Sequence, residues 1–250
     1  MNAYARAVGA GLAAPVVLAI GRWLLPDVGD GALRSLVFAL VPVSIALPFH
    51  VQFSALVIAG DVKQTVKVAL TWALATSVFT IVFLRGFDAS SEVADALFWN
   101  ARVYREDMFH WIRTGIGQEG SPSTYMPQHA AHFLAFAILC LVSRGLLGLV
   151  LGAALLNYMN AYVVALLVHS ESPWLVAPFA WPAYAIVRVV GFICIATALT
   201  AITLRRRTHA TVGAVRIALW VGFGLVVADL ALKAVLAPLY RALFQRWTDL

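Results

Sequence analysis

The sequence predicts an all-α, polytopic transmembrane helical bundle of about seven spans, with one amphipathic interfacial helix between the third and fourth. Three observations point there. Of the 250 residues, 62% are hydrophobic and 12% charged, with a mean hydropathy of +0.87, whereas a soluble domain carries about 25% charged residues. The apolar residues gather into runs of the ~20 residues needed to cross ~30 Å of hydrocarbon. Those runs are continuous rather than alternating, so their backbone groups are satisfied inside each segment, as helices and not as barrel strands.

The first run, 7–25, ends at Pro26 and the turn-forming Asp27-Val28-Gly29-Asp30-Gly31. Arg6 ahead of it gives it the look of a signal peptide, but Arg22-Trp23 stand where small cleavage-site residues belong, so it reads as a span. The second, 33–60, contains Pro42 and Pro48 and is expected to kink or tilt. The third is 66–84. A polar stretch follows, and within 90–116 Val93, Leu97, Ala101, Tyr104, Met108 and Ile112 recur at helical spacing. Ser90 or Ser91 suits its cap, and Glu92 and Asp95 suit the positive end of its dipole. With Phe98, Trp99, Phe109 and Trp111 it is expected to lie on the membrane or to cover the mouth of the bundle. The remaining spans are 127–143, 146–168, 173–204, broken near Pro178 and Pro182, and 211–239. There is no internal repeat, so 1–250 reads as one integral membrane domain.

The net charge of +6 is spread over loops and helix ends, which favours lipid headgroups over nucleic acid as the partner. Partner subunits or a second copy of the chain remain open. Cys140 and Cys194 fall inside apolar runs, as packing residues do. Arg205-Arg206-Arg207 occupy one short loop, which favours a cytoplasmic N-terminus and, with seven spans, a C-terminus on the opposite side; a bacterial cytoplasmic membrane is the expected location.

Ionisable groups inside spans are costly, so each is a candidate site. At ~1.5 Å per residue, Arg188 and Asp229 lie roughly 24–25 Å from the cytoplasmic side, His129 and Asn160 about 21–23 Å, His132 and Asn157 about 17–18 Å. These residues, with Lys233 one turn beyond Asp229, form a polar layer in the outer half of the bundle. Asp229 and Lys233 can neutralise each other, and Arg188 is a second partner for Asp229; the plain reading is a structural ion pair, the functional one an anion or proton site. Arg188 and Lys233 together exceed that carboxylate by one charge, which another acid or a ligand must balance. Asn157 and Asn160 share a face with Tyr158 and Tyr162 near them, and interhelical hydrogen bonding is their commonest use. Gly148 and Gly152 have the spacing that lets helices approach closely.

His129 and His132 stand on one side of their helix, and neutral imidazoles ligate transition metals. His110 and Glu119 could complete such a set if the preceding segment folds back, and His50 could pair with His132 across a haem. No cofactor is the simplest expectation; a metal or haem, and with it an enzyme or redox protein, is the alternative.

Two family signatures are partly present. Trp111-Ile112-Arg113-Thr114, with His129 and His132-Phe133-Leu134 further on, resembles the first loop and second span of rhomboid proteases, but there is no Gly-x-Ser-Gly nucleophile. Pro127-Gln128-His129 is similar to the Pro-Ser-Gly-His of membrane lipid phosphatases, yet no second histidine follows Ser143-Arg144. Neither activity is implied. The sequence reads best as a membrane protein handling a small molecule, lipid or ion through its polar layer, or as the membrane subunit of a larger assembly.

Overall fold

The computed structural model describes residues 2–24, 32–87 and 90–250, so the turn expected at 26–31 lies outside the described residues. Among them every regular element is a helix: α1 (Ala3–Gly11), α2 (Ala13–Leu24), α3 (Ala32–Ala59), α4 (Val62–Arg85), α5 (Ser90–Leu97), α6 (Ala101–Thr114), α7 (Pro122–Ser143), α8 (Leu146–Val168), α9 (Pro173–Val176), α10 (Ala183–Thr203) and α11 (Val212–Trp247). Among the described residues seven segments are long and apolar enough to cross a membrane, the first being α1 with most of α2. The chain is a multi-pass helical membrane protein. Its outward faces carry Val16, Leu36, Leu74, Val78, Leu134, Val142, Ile217 and Trp220, all exposed, a surface that water would not tolerate over such an area.

α8 and α10 form the centre. Of their apolar windows 67% and 61% are buried, against 17% for α7 and α11, which lie outside them. α3 runs unbroken through Pro42 and Pro48, as lipid-embedded helices allow when neighbours re-satisfy the freed carbonyls. The expected break near Pro178 and Pro182 is present: α9 is a single turn, and α10 starts only at Ala183. At one end, the α3–α4 turn interlocks with the α10–α11 loop, where the His209 amide donates to the Ile58 carbonyl at 3.0 Å. The exposed Arg205–Arg207 belong to this end.

The opposite end is capped. The expected amphipathic helix is two helices, broken at Asn100, which takes φ 64°, and joined by Arg105, whose guanidinium grips Asp95 through two bonds of 2.7 and 2.8 Å. α6 sits over the bundle mouth, with Met108, Trp111 and Ile112 packed on Tyr162, Leu166, Tyr184 and Phe244. That docking explains why α11 extends past the predicted 239 to Trp247. Its last turns are not a tail but a clamp on α6. Arg241 donates from Nε to the Ile112 carbonyl (3.1 Å) and from Nη2 to that of Arg113 (3.2 Å), and Gln245 also donates to Arg113. These carbonyls end a helix and have no partner within it, and a cation suits the negative end of the dipole. Gly115 ends α6 at φ 78°, where a Cβ would be strained and would lie 2.9 Å from Arg241 Nη1. We expect Arg241→Met to speed amide exchange across 101–121 while leaving α8 and α10 protected; unchanged exchange there would show that the clamp is dispensable.

Candidate functional site

The site lies beneath this cap, where α7, α10 and α11 meet. α10 and α11 cross closely: a Cβ on Gly191 would lie 2.9 Å from the Gly222 carbonyl, and one on Gly222 2.8 Å from that of Gly191. Towards the cap from this crossing, Arg188 faces Asp229, with Nε 3.6 Å from Oδ2. Asp229 is fully buried, and neither of its oxygens accepts a hydrogen bond. Arg188 retains 21% side-chain exposure, all the more unusual for a charge at membrane depth.

His129 completes this group. Its Nδ1 lies 2.8 Å from the Tyr125 carbonyl, which can only accept, so Nδ1 carries the proton. Its Nε2 then offers a lone pair, and Arg188 Nη1 donates a hydrogen bond to it. The imidazole is therefore neutral, and its 3.9 Å approach to Asp229 Oδ2 is proximity, not an ion pair. Both ring nitrogens are occupied by protein.

Lys233, fully buried, does not bond Asp229. It reaches Glu119 Oε1 at 2.8 Å, while Tyr184 donates its hydroxyl to Glu119 Oε2 at 3.1 Å. The ammonium also sits 4.5 Å from the centre of the Tyr125 ring and 5.9 Å from that of Tyr184, a setting that stabilises a desolvated cation. Glu119 comes from the loop after α6 and reaches the spans because α6 is clamped above them. It is the balancing acid that the excess charge of Arg188 and Lys233 required. Two cations and two carboxylates leave the cluster neutral.

The other predicted positions separate. Asn157 and Asn160 are buried on α8, but Asn157 Oδ1 and both amide atoms of Asn160 have no hydrogen-bond partner. His132 is half-buried on the cavity wall described next. His110 is exposed on α6, and no three His, Cys, Asp or Glu among the described residues are placed to share a metal. His50 bonds the Arg144 carbonyl at 3.1 Å. Arg144 caps the far end of α7, twelve residues and so roughly 18 Å from His132. The α7–α8 turn meets α3 near His50 and Phe53 and not at its Gly60 end, so the two helices do not start from the common level the depth count assumed.

A cavity of about 120 Å³ opens beside the charged cluster. On α7 its wall runs from Gln128 through His129 and His132 to Phe136, and on α10 from Ala185 through Arg188 to Phe192 and Ala196. The span of eleven residues on α10 corresponds to roughly 16 Å along the bundle. Gln118, Glu119, Tyr104 and Trp181 line the capped end, whereas Phe53, Leu149, Gly152 and Ile193 line the other. Burial, and then the Glu119 carboxylate, push the Tyr104 phenol well above its ordinary value, so it remains a neutral donor. The two glycines of α8 serve different ends: Gly148 lies against the Cys140 sulfur, where a Cβ would collide, while the nearest atom to a Cβ on Gly152 is 3.9 Å away. Gly148 brings α7 and α8 together and Gly152 keeps the cavity open. The chain matches no protein family, no curated protein and no solved structure.

Proposed function

We propose that this membrane protein binds a single-chain amphiphile in the cavity, its polar head among Arg188, Glu119 and His132 and its chain directed between Phe136, Gly152 and Phe192. The observation that carries this reading is the polarity gradient along one cavity: every charged lining residue is at the capped end, and the opposite end is apolar. The volume suits one narrow chain, since about 120 Å³ holds roughly eight to ten water-sized groups. A head that meets charge at one end and hydrocarbon at the other is oriented as well as bound. Taken with Arg205–Arg207 as the cytoplasmic loop, the head would face the outer side of a bacterial cytoplasmic membrane. Transport, sensing or supply of the ligand to a partner subunit would each begin with this binding step.

Gly152→Leu tests it, because a leucine there has space only by filling the cavity. We expect the variant to fold and to lose alkyl-chain ligands that remain on the wild-type protein in native mass spectrometry from nanodiscs. If both retain the same ligands, or neither retains any, the reading is wrong.

A further inference from the structure

We propose that the cavity takes an oxyanion and one proton together, the anion on Arg188 and the proton between His129 and Asp229. This rests on the amphiphile reading and adds the chemistry of the head. On the cavity wall itself donors are left unspent at the capped end, whereas the unbonded carboxylate oxygens of Asp229 do not line it. Arg188 donates from Nη1 to His129 and keeps Nε 3.6 Å from Asp229 as an ion pair without a hydrogen bond, and among the described residues Nη2 has no partner. Trp181 Nε1 is buried and unbonded on the same cavity. Glu119, by contrast, has both oxygens engaged. Unspent donors call for oxygen acceptors, and a guanidinium binds carboxylate, sulfonate or phosphate best.

Charge balance supplies the proton. The cluster is neutral as it stands, so an anion alone would leave a net negative charge in a dry site, which is costly. An anion that draws Arg188 away takes from Asp229 the one cation within ion-pair distance of it among the described residues, and the Asp229 oxygens accept no hydrogen bond in compensation. The same movement frees His129 Nε2, already 3.9 Å from Asp229 Oδ2. A proton from water then occupies the gap as imidazolium beside carboxylate, and neutrality returns. The remaining groups facing Asp229 do not substitute. Lys233, on its own helix, is held by Glu119, and Tyr125 of α7 gives its hydroxyl to the Leu230 carbonyl at 3.4 Å. Proton and anion thus bind interdependently, by reciprocal linkage.

The full chain in nanodiscs, titrated with octyl sulfonate, whose head does not ionise, and with octanol as the uncharged comparison, tests this by calorimetry in buffers of different ionisation enthalpy. The expected result is about one proton taken up per sulfonate and an affinity that falls towards about tenfold per pH unit as pH rises, as linkage requires. Asp229→Asn should bind the sulfonate with no proton uptake and no pH dependence. Should that variant fail to fold, the proton count on the wild-type protein decides alone. Sulfonate binding without proton uptake overturns the inference and leaves the amphiphile reading standing. Octanol binding without sulfonate binding overturns it as well, and binding of neither probe removes the amphiphile reading itself.

Discussion

Glu119→Ala is expected to be among the most damaging single substitutions in the protein, although position 119 lies outside every membrane span. Lys233 is fully buried, and its one carboxylate partner among the described residues is Glu119, 2.8 Å away and 11% exposed. Removing one member of a buried pair strands the other charge at a cost of about 3–5 kcal/mol. Tyr184 loses its acceptor in the same step. The loss should appear as a lower melting temperature in detergent and a smaller yield of monodisperse protein. Glu119→Ala with Lys233→Met is expected to recover much of it, since a buried pair replaced by apolar groups of similar volume is often neutral or stabilising. A double variant no better than Glu119→Ala alone would mean that the cost comes from the loop and not from the stranded ammonium.

The second large effect is expected at the α10–α11 crossing. In Gly222→Val the new Cβ would lie 2.6 Å from Ile195 Cγ1, 2.8 Å from the Gly191 carbonyl and 3.0 Å from the Ile195 nitrogen. Two of these atoms are backbone, so the helices must part. Overpacking of this kind costs about 1–3 kcal/mol, and here it also draws Asp229 away from Arg188. Gly224→Val is the matched control: a Cβ there meets nothing within 4 Å, and the position faces outward. Both variants place a β-branched residue in the same helix, so intrinsic propensity cancels in the comparison. A melting temperature lowered equally in both would refer the effect to propensity and remove the crossing as its cause.

Much of the bundle was legible in the sequence because a hydrocarbon solvent imposes few choices. A segment such as 146–168 is apolar but for Asn157, Asn160 and two tyrosines and is flanked by Gly145 and His169, and it forms the helix Leu146–Val168 residue for residue. Ends set by packing were less legible. α11 continues to Trp247 because Arg241 and Gln245 find carbonyls of α6 to bond, and nothing within positions 240–247 announces that partner. The break at Asn100 is similar, for apolar spacing carries on across it while the backbone turns.

The candidate site divides along the same line. Composition and periodicity alone determined that the chain spans a membrane as a helical bundle, and the cost of burying charge marked Arg188, Asp229, Lys233 and His129 as residues needing partners. The identity of those partners was decided only by tertiary structure. Lys233 turns to Glu119 and not to Asp229 one turn away, because the docked α6 delivers a carboxylate to it between two aromatic rings. Arg188 takes Asp229 because two glycines bring their helices together. Solvent preference is a property of each segment and can be read along the chain, whereas an ion pair depends on distance between segments, which only the packed fold sets.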